Sequence, residues 1–170
     1  MKVSLKLLFI LFILFPSALI AQDDFRGFSV NLRLCPGFAL DDGIALGSEL
    51  CIYRNQAIIS AEYNFWDDFH LLSEDYYVTN KVGFFYGKYW GKRFYRYQLQ
   101  GGLGPVWGER MDSNRQSSFF TGGIFLKAGL KFLPTRFAAI GADIQLNISP
   151  EYPDLMLLLG IDFGKLIGPE

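Results

Sequence analysis

The sequence contains little of what a nucleic-acid-binding protein, a metal site or a helical membrane protein requires. Charged residues make up only 19% of the chain, and acidic and basic residues nearly balance, which argues against the basic surface that nucleic acid needs. The chain has two cysteines and one histidine, and a metal site built from the two cysteines alone is not expected. After residue 21, no apolar run approaches the roughly 18 residues of a membrane-spanning helix. The chain is instead rich in aromatic residues, at 17%, and in glycine, with 18 residues.

The start of the chain predicts a cleaved secretory signal peptide at residues 1–21. Lys2 and Lys6 form a positive start, and residues 7–15 are an uninterrupted apolar run that is too short to span a bilayer. An uncleaved N-terminal anchor is the weaker alternative. Cleavage removes two lysines and no acidic residue, which leaves 14 basic and 17 acidic residues. The remaining segment, residues 22–170, has the length of a single domain.

The rest of the chain alternates between apolar and polar residues with the period of two that β-strands have. The clearest example is the hairpin from Gly122 to Ile148, whose two arms join at a turn at residues 133–136. Each arm has about ten residues, the length of a tilted strand that crosses a bilayer. The same alternation predicts eight strands near residues 27–38, 44–52, 59–65, 77–89, 95–107, 122–132, 138–148 and 155–163.

The connections between these strands favour an outer-membrane barrel. The turns after strands two, four and six are tight, whereas residues 66–75 and 108–118 are predicted to be longer polar loops. Bacterial outer-membrane barrels show this alternation of short periplasmic turns and longer outer loops. An even number of strands then places both termini in the periplasm.

One face of the predicted strands is apolar, and the other carries charged residues interleaved with glycine. A secreted lipocalin-like barrel would turn the apolar face inward around a ligand, whereas a membrane barrel would turn it outward. Small and charged residues suit a narrow lumen, and aromatic residues collect at strand ends as in membrane girdles. We therefore predict an all-β, eight-stranded antiparallel up-and-down transmembrane β-barrel with a plugged lumen. The predicted lumen charge network consists of Arg33, Glu49, Glu62, Lys81, Arg96, Lys127, Lys131, Asp143 and Asp162.

The chain resembles the small eight-stranded outer-membrane barrels of Gram-negative bacteria, of the OmpA transmembrane-domain and OmpX type, within a broad porin-like family. The resemblance is one of pattern over residues 22–170. Residues 160–163, Gly-Ile-Asp-Phe, fit the start of the assembly signal of the last strand, whereas Lys165 stands where a second aromatic residue is expected. The resemblance implies a bacterial outer-membrane location, with outer-membrane lipid and lipopolysaccharide as partners.

Cys35 and Cys51 fall on the polar face of the first two predicted strands. A hairpin centred at Gly43 would set them directly opposite each other, within reach of a disulfide in the oxidising periplasm. The alternative is two small buried residues in a packed lumen. A shift of register by one residue would separate the pair, so the sequence leaves both interpretations open.

The predicted loop at residues 66–75 contains His70 and four carboxylates. Carboxylate oxygens suit calcium or magnesium, but their spacing matches no calcium-loop motif, so a solvated acidic loop is the preferred interpretation. Outer-membrane lipid A deacylases of similar size carry a His-x-Ser arrangement, which is absent here because Leu72 follows two residues after His70. The candidate surface cation ligands are Asp67, Asp68, Glu74 and Asp75.

Three functions fit these observations. The leading hypothesis is a small integral outer-membrane protein that is not an enzyme and has a structural, adhesive or partner-binding role through its surface loops. It needs no cofactor, no metal and no catalytic residue, and its expected contacts are membrane lipid and a protein partner. One alternative is an outer-membrane enzyme that modifies lipid A or phospholipid with His70 and Ser73. The other is a secreted lipocalin-like barrel that binds an apolar ligand.

Overall fold

A computed structural model describes residues 26–35, 44–68, 76–92, 94–112, 115–151 and 153–166. Each strand pairs antiparallel with the next one along the chain, and the first pairs with the last, which closes the barrel. The predicted all-β, eight-stranded up-and-down barrel is therefore confirmed. The predicted signal peptide lies outside the described residues. The strands are β1 (Arg26–Cys35), β2 (Ile44–Arg54), β3 (Ala57–Asp68), β4 (Tyr76–Lys92), β5 (Tyr95–Asp112), β6 (Arg115–Phe132), β7 (Ala138–Ile148) and β8 (Asp154–Lys165).

Local turn chemistry explains two of the tight connections. Asn55 and Gln56, between β2 and β3, have φ angles of 48° and 65°, as in the type I′ turn that matches the twist of a two-residue hairpin. The Gln56 carbonyl accepts a hydrogen bond of 2.9 Å from the Tyr89 amide, which holds this turn against β4. Between β6 and β7, the Thr135 hydroxyl accepts a hydrogen bond of 2.9 Å from the Ala138 amide. Both turns lie at the same end of the barrel.

The apolar face of the described strands points outward. Along β2, Ile44 and Ile52 are exposed, whereas Glu49 and Tyr53 between and beside them are buried. Because side chains alternate across a strand, the same division continues around the barrel. A lipocalin-like barrel requires the opposite arrangement, so that alternative does not fit the structure. No helix in the described part of the chain is long and apolar enough to cross a membrane.

Two strands are longer than the sequence suggests, and the prediction of a loop at residues 108–118 is wrong. The β5–β6 ladder continues from Gly108 opposite Phe119 to Asp112 opposite Arg115. Both faces of this extension are largely polar, so the apolar alternation that indicates a strand is lost although the backbone pairing continues. The loop predicted at 66–75 also begins later, because β3 runs to Asp68.

The two cysteines do not lie opposite each other, as they would in a hairpin centred at Gly43. The β1–β2 register places Cys35 opposite Ala45 and Cys51 opposite Ser29. Six residues of β2 therefore separate Cys51 from the position opposite Cys35, a distance of about 20 Å along the strand. Cα atoms joined by a disulfide lie within about 7 Å of each other, so this register removes the geometric basis of the bridge. Cys51 is buried within the barrel.

Candidate functional site

The lumen is built around Lys127, whose side chain is fully buried. Its ammonium donates to the Glu62 carboxylate at 2.8 Å and also to that of Glu49. The same ammonium lies 4.0 Å from the centre of the Phe85 ring. Asn64 donates to Glu62 as well. Three charges from β2, β3 and β6 thus meet in the interior and lock these strands together across the barrel.

A second ion pair joins β6 to β8. The Lys131 ammonium donates to the Asp162 carboxylate at 2.7 Å, and the Gln98 amide donates to Asp143 at 2.8 Å. A glycine makes room for this layer, because a Cβ at position 129 would collide with the Asp143 carboxylate. At this level the narrow interior has room for the side chain of only one of two residues that face each other. This explains why glycines alternate with charged residues on the inner face.

A third buried ion pair involves a residue that the sequence analysis missed. Lys81 of β4 pairs with Asp154, the first residue of β8, and Asn147 donates to the same carboxylate. The predicted last strand began one residue later, so Asp154 was left out of the network. The alternation that places Asp162 and Leu158 on the inner face, extended by four residues, includes Asp154 and would have found it.

Apolar clusters lie at both ends of the charged interior. At the end with the tight turns, the Arg96 guanidinium stacks over the rings of Tyr53 and Tyr89, at 4.4 and 4.7 Å from their centres. Its Nη2 donates to the Leu166 carbonyl at 2.5 Å, and the buried Leu166, the first residue after β8, packs in this end cluster. Trp66 belongs to a buried cluster at the opposite end. The described interior is thus a filled core with ion pairs inside it.

The structure places the predicted site residues as follows. Eight members of the predicted lumen charge network are buried in the interior, and the side chain of the ninth, Arg33, lies outside the described part. Of the predicted cation loop, Asp67 is half-buried in β3 and Asp68 is the last residue of that strand. Glu74 and Asp75 lie outside the described residues, as do His70 and Ser73. No group of three or more metal-ligating residues occurs within the described ranges.

The outward face changes character along β5 and β6. Leu103 and Ile124 are exposed and apolar, and further along the ladder Trp107 pairs with Phe120, whose side chain is 78% exposed. Beyond this aromatic pair the outward residues are mostly polar, beginning with Glu109 opposite Ser118, with Met111 as an apolar exception. The outward residues thus change from aliphatic to aromatic to polar. Outer-membrane barrels show the same order, from the apolar band through the aromatic girdle to the water-exposed part.

The hairpin beyond that aromatic pair has an open edge. Pairing between β6 and β7 begins only at Ile124 opposite Ile148, so residues 115–123 of β6 pair with β5 on one side alone within the described chain. β5 and β6 each have 18 residues. A spanning strand needs only about 9–11. Five residues of each strand, 108–112 of β5 and 115–119 of β6, extend past the aromatic pair. We call residues 108–119 the projecting hairpin.

Comparison with solved structures gives the same architecture. The N-terminal β-barrel domain of Pseudomonas aeruginosa OprF is 14% identical, with a TM-score of 0.62, over 81% of this chain and 96% of that domain. Neisserial surface protein A (NspA) is 10% identical, with a TM-score of 0.62, over 81% and 94%. Ail, the attachment invasion locus protein of Yersinia pestis, is 14% identical, with a TM-score of 0.56, over 82% and 94%. No family model and no curated protein matches the sequence. The chain therefore has the closed eight-stranded fold of the small outer-membrane β-barrels.

Proposed function

We propose that this chain is a small integral outer-membrane β-barrel protein that displays the projecting hairpin to a protein partner. The observation that carries the membrane location is the continuous apolar exterior around a charged interior. A soluble protein rarely exposes an apolar patch larger than a few hundred Å². Here exposed aliphatic and aromatic side chains occur on all eight strands, and a closed barrel satisfies every backbone group within the bilayer.

The orientation follows from the two ends of the barrel. The tight turns at residues 55–56 and 133–137 lie at one end, together with Arg26 of β1 and Lys165 of β8. Short turns are typical of the periplasmic side. The projecting hairpin extends from the opposite end, which we assign to the cell exterior. The names of two similar proteins, a surface protein and an attachment invasion locus protein, support a role at the cell surface.

The open edge of β6 supplies a means of recognition. A strand edge presents unpaired backbone N–H and C=O groups to which an extended segment of another protein can add as a further strand. In that mode the backbone hydrogen bonds provide affinity, and the alternate side chains of the edge select the partner. The interior contributes rigidity rather than chemistry, because Glu49, Glu62 and Asp162 are engaged in buried ion pairs.

Gel mobility of membrane-extracted protein tests the membrane location. Closed outer-membrane barrels resist unfolding in detergent, so the unheated protein should migrate as a compact band that shifts when the sample is boiled. The protein should require detergent for extraction from the outer-membrane fraction. A water-extractable protein with no heat-dependent shift would contradict the proposal.

A shortened variant tests the role of the projecting hairpin. Trp107 and Phe120 pair across β5 and β6, so replacing residues 108–119 by an Asn-Gly turn keeps the β5–β6 ladder up to that pair. The replacement also removes the β5 partners of residues 76–79 of β4. A photoreactive residue at Ser118 on intact cells should capture a discrete protein, and the same residue at Phe137, in a turn at the other end, should not. The shortened barrel should keep its heat-dependent shift and lose that protein on co-purification. Equal recovery with the shortened barrel would contradict partner binding through the hairpin.

A further inference from the structure

The outer wall of the barrel contains a groove with a volume of about 480 Å³. It crosses from β4 to β8, and almost all of its exposed lining is apolar. Its floor is formed where Gly101 of β5 and Ala128 of β6 replace the large aliphatic residues found elsewhere on this face. Leu126 and Ile144 stand beside these small residues as walls. The groove is therefore a depression in the surface that the membrane would cover.

A cation lies at one end of this groove. Lys88 of β4 is exposed on the outer face, and its ammonium has no ion pair or hydrogen bond within the described residues. Lys88 lies four residues before Lys92, the last residue of β4, next to the end with the tight turns. Trp90, which also lines the groove, belongs to the aromatic belt at that end. The apolar groove thus begins beside an accessible positive charge at the level of lipid headgroups.

The dimensions of the groove match one leaflet. From Lys88 on β4 to Leu155 on β8 it crosses four strand spacings, which is about 19 Å. Because the strands of such barrels tilt by about 45°, a row across them rises by roughly 13 Å. Half of the hydrocarbon core is about 15 Å thick. A single acyl chain that begins at the headgroup level beside Lys88 would therefore remain within one leaflet along the groove.

We propose that this groove binds an anionic glycerophospholipid, with its phosphate on Lys88 and one acyl chain over Gly101 and Ala128. The inference rests on the proposed membrane location and adds the class of lipid that is bound. Charge complementarity selects an anionic headgroup, and the apolar lining selects an acyl chain. The tight-turn end, assigned to the periplasm, places this lipid in the inner leaflet of the outer membrane.

Two variants separate the contributions of charge and shape. Lys88→Gln removes the cation, and Gly101→Leu fills the floor. A Cβ at position 101 would meet only Leu126, at an ordinary 3.8 Å, so the substitution does not clash with the backbone at that position. Lys165→Gln is the matched control for charge, because Lys165 is another exposed lysine near the same end but does not line the groove. Gly122→Leu is the matched control for shape, because position 122 is outward-facing and open and lies away from the groove.

Native mass spectrometry after reconstitution with phosphatidylethanolamine and a minority of phosphatidylglycerol measures the bound lipid. The wild type should retain phosphatidylglycerol in preference to phosphatidylethanolamine. One lysine near an anionic headgroup changes binding by about fivefold, so Lys88→Gln should reduce retained phosphatidylglycerol by that factor. Gly101→Leu should reduce both lipids, and the two controls should behave as the wild type.

Each outcome distinguishes this inference from the proposed function. A wild type that inserts and shows the heat-dependent shift but retains no phosphatidylglycerol would overturn the lipid site and leave the membrane location intact. Equal losses in the variants and the controls would also overturn it, as would a dimer that Gly101→Leu dissociates, since the groove would then be an interface between copies. A wild type that fails to insert would contradict the membrane location and the lipid site together.

Discussion

At the scale of single residues, Lys127 offers the clearest test of the charged interior. It is the common partner of Glu49 and Glu62, and all three side chains are shielded from solvent. A buried ion pair adds little compared with apolar residues of the same shape, but removing one partner leaves uncompensated charge behind. The network therefore specifies which strands face each other more than it stabilises the fold.

We expect Lys127→Met to lower the free energy of unfolding by about 3–5 kcal/mol, because two carboxylates lose their common cation inside the barrel. The urea midpoint in detergent micelles, followed by gel mobility, measures the loss. Lys127→Met combined with Glu49→Gln and Glu62→Gln should recover most of it. Lys165→Met, on the exposed outer face, is the control and should change little. A triple variant that is less stable than Lys127→Met alone would show that the three charged side chains contribute more to stability than mutual neutralisation.

At the scale of elements, turn chemistry fixes where β2 becomes β3. Gln56 has a φ of 65°, in the left-handed region that only glycine occupies without steric cost. Gln56→Gly should therefore stabilise the folded barrel by about 0.5–1 kcal/mol, as a shift of the same urea midpoint. Gln116→Gly, in the extended part of β6, should destabilise instead. A loss of stability in Gln56→Gly would show that side-chain contacts of Gln56 outweigh the backbone strain.

The two ends of β6 should differ in their accessibility to a reagent outside the cell. Ser118→Cys, in the projecting hairpin, should react with a membrane-impermeant maleimide on intact cells. Pro134→Cys, an exposed position in the turn at the other end, should react only after the outer membrane is permeabilised. The unmodified chain controls for the buried native Cys51. The reverse pattern of labelling would invert the proposed orientation.

At the scale of the whole molecule, the ion pairs and the two apolar end clusters fill the interior. An eight-stranded barrel has an interior just wide enough for its own side chains. In planar bilayers we therefore expect no stable conductance steps from the purified protein, with a large porin in the same bilayers as a positive control. Small, stable steps at low protein concentration would show that the charged interior conducts ions and that the lumen is open.

The sequence predicted the parts of this structure that depend on one strand at a time. Alternation separated Lys127, Lys131 and Asp162 from the aliphatic residues of the opposite face, because side-chain direction is a local property of the strand. The small and charged residues of their face then predicted that it points inward. Alternation between apolar and polar residues is absent where both faces of a strand are polar. The strand residues of the projecting hairpin were therefore predicted to be a loop. The prediction also stopped short of Asp154, the inner-face residue at the start of β8.

Which residues of different strands lie next to each other was decided only by the closed barrel. The separation of Cys35 from Cys51 depends on register, which a single strand does not encode. Likewise, the pairing of Lys81 with Asp154, the open edge of β6 and the groove over Gly101 each require several strands in their final stagger. By itself the sequence determined which residues of a strand share a face, because that follows from the period of two. The tertiary structure decided which of them meet, because closure fixes every register at once.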